Sequence, residues 1–171
     1  MIGSLEKVAS RWQLRFEREL SHPPARVWRA LTEPDELRKW FPDEVLVEEW
    51  KVGAKMRFRD AETRIEPFDG EVLALQPPSL LEFRWGTDTI RIEVAPRGSG
   101  SVLTLIDTID ELGKAARDGA GWHACLDALE AAVDGGSELD MSRRWGEVHR
   151  EYVKKFGPEA STIGPPAGWG E

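Results

Sequence analysis

The stretch GKAARDGAGWHACLDALEAAVD, residues 113–134, decides the architecture. At helical spacing Ala115, Gly119, Trp122, Leu126, Leu129 and Val133 fall three or four apart and form one apolar face, while Lys114, Arg117, Asp127 and Glu130 point elsewhere. Such a helix lies on a flat apolar surface. Small residues line its first half and large ones its second, so one end seals a sheet and the other leaves unfilled volume. That volume is the expected functional site.

Working back from the helix, VLTLIDTI, IRIEV and LLEFRW alternate at period two, grouping Leu103 with Leu105, Ile90 with Ile92 and Val94, and Leu81 with Phe83 and Trp85. Strands are expected near 43–50, 54–60, 63–67, 70–76, 80–86, 88–96 and 101–110, joined by links short enough to demand antiparallel hairpins. RWQLRFEREL, residues 11–20, is a further half-buried strand with Trp12, Leu14 and Phe16 on one side. SHPP stops it, ARVWRALT reads as a short helix burying Val27, Trp28 and Leu31, and Pro34 opens a second with Leu37, Trp40 and Phe41 inward. Forward of Val133, DGGS ends the long helix. SRRWGEVHREYVKKFG then carries Trp145, Val148, Tyr152 and Phe156 at helical spacing, predicting a helix over about 142–156, and PEASTIGPPAGWGE reads as an extended or disordered tail. The chain divides into residues 1–136, one sheet-and-helix domain, and residues 137–171, a C-terminal extension.

Bulk properties narrow the partners. A chain of 171 residues suits one domain with a real core. The net charge is −8, and only the short SRRW and VKKF segments cluster cations, so counterion release from nucleic acid has nothing to drive it. No run of apolar residues reaches the roughly 18 needed to span a bilayer, and MIGSLEKVAS lacks the apolar core of a secretory leader, so a cytoplasmic protein without membrane contact is expected. A single cysteine, Cys125, excludes an internal disulfide. His22, His123 and His149 show no ligand spacing, so neither a metal nor a cofactor is expected, and His123 is placed toward solvent. No nucleophile elbow, phosphate loop or dinucleotide fingerprint occurs.

Taken together, the segments LRFERELSHPPARVWRALTEPDELRKWF, EEWKVGAKMRFR, GEVLALQPPSLLEFRW, IRIEVAPRGSGSVLTLIDT and Gly121–Trp122 with CLDAL resemble the SRPBCC (START-like, helix-grip) superfamily. Within it they resemble the branch named for the activator of the ninety-kilodalton heat-shock protein ATPase. The similarity spans roughly residues 11–134. It implies an α+β helix-grip fold: a curved antiparallel sheet wrapped on a long C-terminal helix, with two short helices after the first strand and, here, an extra C-terminal helix. Members hold hydrophobic or amphipathic small molecules between sheet and helix, some catalyse reactions there, and the eponymous member stimulates a chaperone ATPase through an additional N-terminal domain.

The expected ligand wall is Trp40, Met56, Phe58, Phe83, Trp85, Ile92, Leu105, Gly119, Trp122 and Leu126, with the Met56–Phe58 and Phe83–Trp85 pairs turned to the concave face by the family pattern. For each aromatic the plainer reading is core packing. Gly119 and Gly121 each weaken a helix by about 1 kcal/mol, so a kink, a bulky neighbour or a ligand must occupy the space they leave. Asp107 continues the parity of Leu103 and Leu105. It either points inward, as an orienting group or an acid–base catalyst, or escapes to solvent through a strand-end bulge. The stripe of the last helix is to be covered by its own domain or, through Trp145 and Tyr152, by a second copy. A binding protein without turnover is the leading expectation; an enzyme using Asp107 and a chaperone-regulating module are the alternatives.

Overall fold

Period-two patterning builds the sheet. In strand β2 (Arg11–Leu20), Leu14, Phe16, Arg18 and Leu20 turn to the core while Arg15, Glu17 and Glu19 stay in solvent. The same alternation buries Asp88, Ile90, Ile92 and Val94 of β7 (Asp88–Arg97), and Leu103, Leu105, Asp107 and Ile109 of β8 (Gly100–Ile109). In the computed structural model, which describes residues 1–62 and 64–170, these strands join β1 (Ser4–Val8), β3 (Glu44–Leu46), β4 (Lys55–Arg59), β5 (Phe68–Gln76) and β6 (Leu80–Trp85). All eight form one antiparallel sheet of order β1-β2-β8-β7-β6-β5-β4-β3. The β7–β8 register is unbroken and opposes Ile90 to Asp107, so no bulge turns Asp107 to solvent; it is fully buried.

Two expected strands change. The strand over 43–50 shortens to β3, an edge strand with β4 as its one neighbour. Residues 64–67 of the strand expected over 63–67 form a loop, and Thr63 lies outside the described residues. There the Asp60 side chain accepts the backbone N–H groups of Glu62 (3.4 Å) and Arg64 (2.8 Å), a local turn that competes with ladder pairing. β1 has no counterpart among the expected strands.

Proline begins both short helices, α1 (Pro24–Thr32) and α2 (Pro34–Leu37), where its missing N–H costs nothing. The long helix α3 (Ala115–Val133) follows a short 3-10 turn at Leu112–Lys114 and is buried on two sides. Trp122 reaches β8 on one, and α4 (Met141–Phe156) covers the other. Asp140 caps α4 by accepting the Arg143 N–H at 3.0 Å. The α4 stripe of Trp145, Val148 and Tyr152 is buried within the chain's own core, so Trp145 and Tyr152 are not available to a second copy as expected. Gly119 explains the close approach: a Cβ there would lie 2.8 Å from Tyr152 Cδ1.

Tyr152 joins distant parts of the chain. Its hydroxyl accepts the Gly3 N–H at 2.9 Å and stands 2.9 Å from His123 Nδ1, while Lys155 Nζ donates to the Gly3 carbonyl at 2.9 Å. His123 is accordingly buried rather than solvent-facing. The last segment folds back as well. Ala160 is buried, the Ile163 N–H donates to the Gly113 carbonyl (3.1 Å), and the Gly170 N–H donates to Ser142 Oγ (3.2 Å). Residues 137–170 thus pack onto the sheet-and-helix body instead of trailing from it, because Gly113, Gly119 and Gly170 let backbone and rings approach closely.

Candidate functional site

The volume under the middle of α3 is filled. Trp40, Met56, Phe58, Phe83, Ile92, Leu105 and Leu126 are at most 3% exposed, and Phe41, delivered by the turn after α2, stands among them. Its ring centroid lies 5.9 Å from Phe58, 6.0 Å from Phe83 and 5.8 Å from Trp122. A void of about 10 Å³ remains beside Trp40, Met56, Phe83 and Ile92, room for one water at most. These residues are core, and so is Gly119, whose free space Tyr152 and Phe156 occupy.

A cavity of about 570 Å³ lies instead at the N-terminal end of α3. Pro42 and Asp43, Asp60, Arg64, Ile65 and Phe68, the β6–β7 turn, α3, and Pro165–Ala167 with Trp169 enclose it. Of the expected wall residues only Trp85 and Trp122 line it. Their rings stand 5.2 Å apart at 59°, and each indole N–H is tied down: Trp85 to Asp43 Oδ2 and Trp122 to Asp107 Oδ2, both at 2.8 Å. Fixing the N–H of each ring fixes the face it presents. Gly121 opens on this space, since a Cβ built there meets nothing within 4 Å. Phe68 and Trp169 add apolar wall, and buried Cys125 completes the helix side, burial pushing its thiol pKa up.

The other end of the cavity is charged. Lys114, Asp118, Trp122 and Cys125 recur at spacings of four, four and three along the α3 region and face it together. Asp88, from the first residue of β7, meets Asp118 there, and with Asp107 behind Trp122 they bring three carboxylates within 4.8 Å of one another. Lys114 Nζ lies 2.7 Å from Asp88 Oδ1 and 2.7 Å from Asp110 Oδ1, and Arg117 Nε is 2.6 Å from Asp118 Oδ1. Asp107 Oδ1 and Asp118 Oδ2 are buried without a hydrogen-bond partner among the described residues. Burial, and then the neighbouring Asp88 and Asp118 charges, holds the Asp107 carboxyl well above the usual carboxylate range. Burial likewise raises Asp88 and Asp118. Burial works against the Lys114 ammonium, but its bonds to Asp110 and Asp88 outweigh that and hold its pKa above the ordinary value. Asp43 is pushed up to about 6, chiefly by burial and against the Trp85 hydrogen bond.

Residues 21–134 match the family model described as activator of Hsp90 ATPase homolog 1-like protein. The chain belongs to that family. No curated protein sequence matches it. Among solved structures it is similar to the conserved protein of unknown function EF2215 from Enterococcus faecalis, at 20% identity and TM-score 0.76, over 90% of this chain and 89% of that one. CalU16 from Micromonospora echinospora shares 20% identity at TM-score 0.70, over 90% and 95% of the two chains. Protein CV1439 from Chromobacterium violaceum shares 30% identity at TM-score 0.60, over 71% and 97%. The helix-grip architecture of the SRPBCC superfamily is therefore the fold of this AHSA1-type chain.

Within that fold the sequence reading missed Asp43, Asp88, Lys114 and Asp118. The signal for Asp88 was its parity with Ile90, Ile92 and Val94, which sets a carboxylate on the inward face. For Lys114 and Asp118 it was their place eight and four residues before Trp122, on the same helical face; Lys114 is buried toward the sheet, not turned away. Asp107 points inward but does not line the cavity, so direct contact with an occupant falls to Asp88 and Asp118. Among the described residues no helix is long and apolar enough to cross a membrane.

Proposed function

We propose that this AHSA1-family chain binds an amphipathic small molecule in the cavity at the N-terminal end of α3. The observation that carries the reading is the pair of tethered indoles. Trp85 and Trp122 stand 5.2 Å apart beside a cavity of about 570 Å³, within the range of small-molecule sites, and a glycine holds the adjoining helix turn open. The flat part of the ligand lies against Trp85, Trp122 and Phe68. Its polar end carries a hydroxyl or amine, which the acceptors Asp43, Asp60, Asp88 and Asp118 and the donors Arg64, Lys114 and Arg117 of the same lining suit.

Native mass spectrometry of freshly purified protein, alongside a Gly121→Leu variant, tests this. The expected result is a retained mass on the parent protein that is missing from the folded variant, whose new side chain fills the cavity. An unliganded parent that no apolar amine or alcohol stabilises, or equal loading of the variant, overturns the reading. A second reading, regulation of a chaperone ATPase, rests on the family's description; measuring the ATPase rate of that chaperone with and without this protein decides it.

A further inference from the structure

We propose that Asp88, Asp107 and Asp118 form a binding site for one hard divalent cation, with Ca²⁺ the best fit, at the charged end of the cavity. The geometry suits the ion. One oxygen from each carboxylate lies within 4.8 Å of the other two. Ca²⁺ takes oxygens at about 2.3–2.6 Å, so ligands on opposite sides of it stand up to about 5 Å apart, and all three oxygens fit one sphere. A carboxylate-only donor set selects hard cations over the thiolate- and imidazole-seeking metals.

Carboxylates in a group are common without an ion, and the second observation is what distinguishes this cluster. Asp107 is 0% exposed and its Oδ1 has no hydrogen-bond partner among the described residues; Asp118 Oδ2, on a side chain 10% exposed, has none among them either. Two buried acceptors left open on facing elements, a strand and a helix, are costly unless something positive joins them. Charge points the same way. Among the described residues the four carboxyl groups of Asp88, Asp107, Asp110 and Asp118 outnumber the two cations bonded to them, Lys114 and Arg117, so a divalent ion that displaces the proton burial holds on Asp107 meets net negative charge. Lys114 does not fill this role, since its ammonium bonds Asp88 Oδ1 and Asp110 Oδ1 and makes no hydrogen bond to either open oxygen.

The ion has a route in. Asp88 and Asp118 line the cavity, so it enters without opening the core, while Asp107 supplies a ligand from behind Trp122. Ca²⁺ takes six to eight oxygens, so water or an oxygen of the cavity's occupant completes the shell. The site needs no occupant, and its test uses the metal alone.

Chelator-treated full-length protein is titrated with CaCl₂ by calorimetry and thermal unfolding, and with Mn²⁺ by electron paramagnetic resonance. The expected result is one saturable site, a rise in unfolding temperature with Ca²⁺, loss of the free-Mn²⁺ signal at stoichiometric protein, and at least tenfold weaker binding in Asp107→Asn and Asp118→Asn. If Asp107→Asn fails to fold, Asp118→Asn and the parent's Mn²⁺ spectrum decide the matter. An unbound Mn²⁺ spectrum, no saturable heat, or equal binding by the folded variants overturns the proposal. A folded Asp107→Asn that is more stable than the parent, with neither responding to metal, also overturns it, showing that a proton joins the carboxylates.

Discussion

At the scale of single residues, two buried acids and one imidazole set the chemistry of the interior. Trp122 is the donor to Asp107 Oδ2, and the other oxygen has no partner among the described residues, so Trp122→Phe leaves the whole carboxyl unsatisfied. Its cost, read by urea denaturation in chelator, should be about 1–3 kcal/mol beyond the packing loss, and most of that excess should disappear in Trp122→Phe with Asp107→Leu, where both polar partners are gone. Asp43 gives a pH prediction. Burial raises its folded pKa from 3.8 to about 6, so the stability contributed by its protonated form is complete below about pH 4 and lost as pH rises through 6. Asp43→Asn keeps an acceptor for Trp85 and should be more stable than the parent by about 2–3 kcal/mol above pH 6, and no more stable below pH 4. His123 works in the opposite sense. Burial lowers its pKa from 6.5 to about 4, so its contribution is present above 6.5 and lost as pH falls to 4. The two slopes oppose each other in the parent protein, and the Asp43→Asn variant, followed by denaturation across pH 4–7, should expose the His123 decline.

At the scale of elements, the two helix glycines of α3 separate packing from the cavity. Gly119→Ala gains helix propensity of about 1 kcal/mol but sets a Cβ 2.8 Å from the Tyr152 ring, so the α3–α4 contact must give and thermal unfolding should show a net loss. Gly121→Ala meets nothing within 4 Å and should raise stability by up to about 1 kcal/mol. The sequence revealed most of these elements, because alternation in β2, β6, β7 and β8 and the stripe of α4 each pair with one buried face. Edge elements were harder to read: β1 and β3 bury little, and without burial period two carries no information. The site was only half legible. Trp85 and Trp122 were visible as large inward residues, yet their neighbours were hidden by chemistry: Asp88 reads as a turn residue, Lys114 as a solvent charge, and each is buried only because the other is there. That Phe41 would fill the expected hollow depends on the angle at which α2 returns to the sheet, which no local pattern encodes.

At the scale of the whole molecule, residues 158–170 are a wall. Pro165, Pro166, Ala167 and Trp169 close one side of the cavity, anchored by the Ile163–Gly113 and Gly170–Ser142 hydrogen bonds. A chain ending at Gly157 should keep its sheet and helices by circular dichroism but expose Trp85 and Trp122, raising acrylamide quenching of tryptophan fluorescence and speeding release of any bound small molecule. Tyr152 ties Gly3, the residue before β1, to α3 and α4 through one hydroxyl. It is the only tyrosine in the chain, and burial pushes its ionisation up to about 12. The phenolate band near 295 nm is therefore a built-in optical gauge: in alkaline solution it should grow not as an exposed phenol titrates but in step with separation of the chain's first strand from its last long helix.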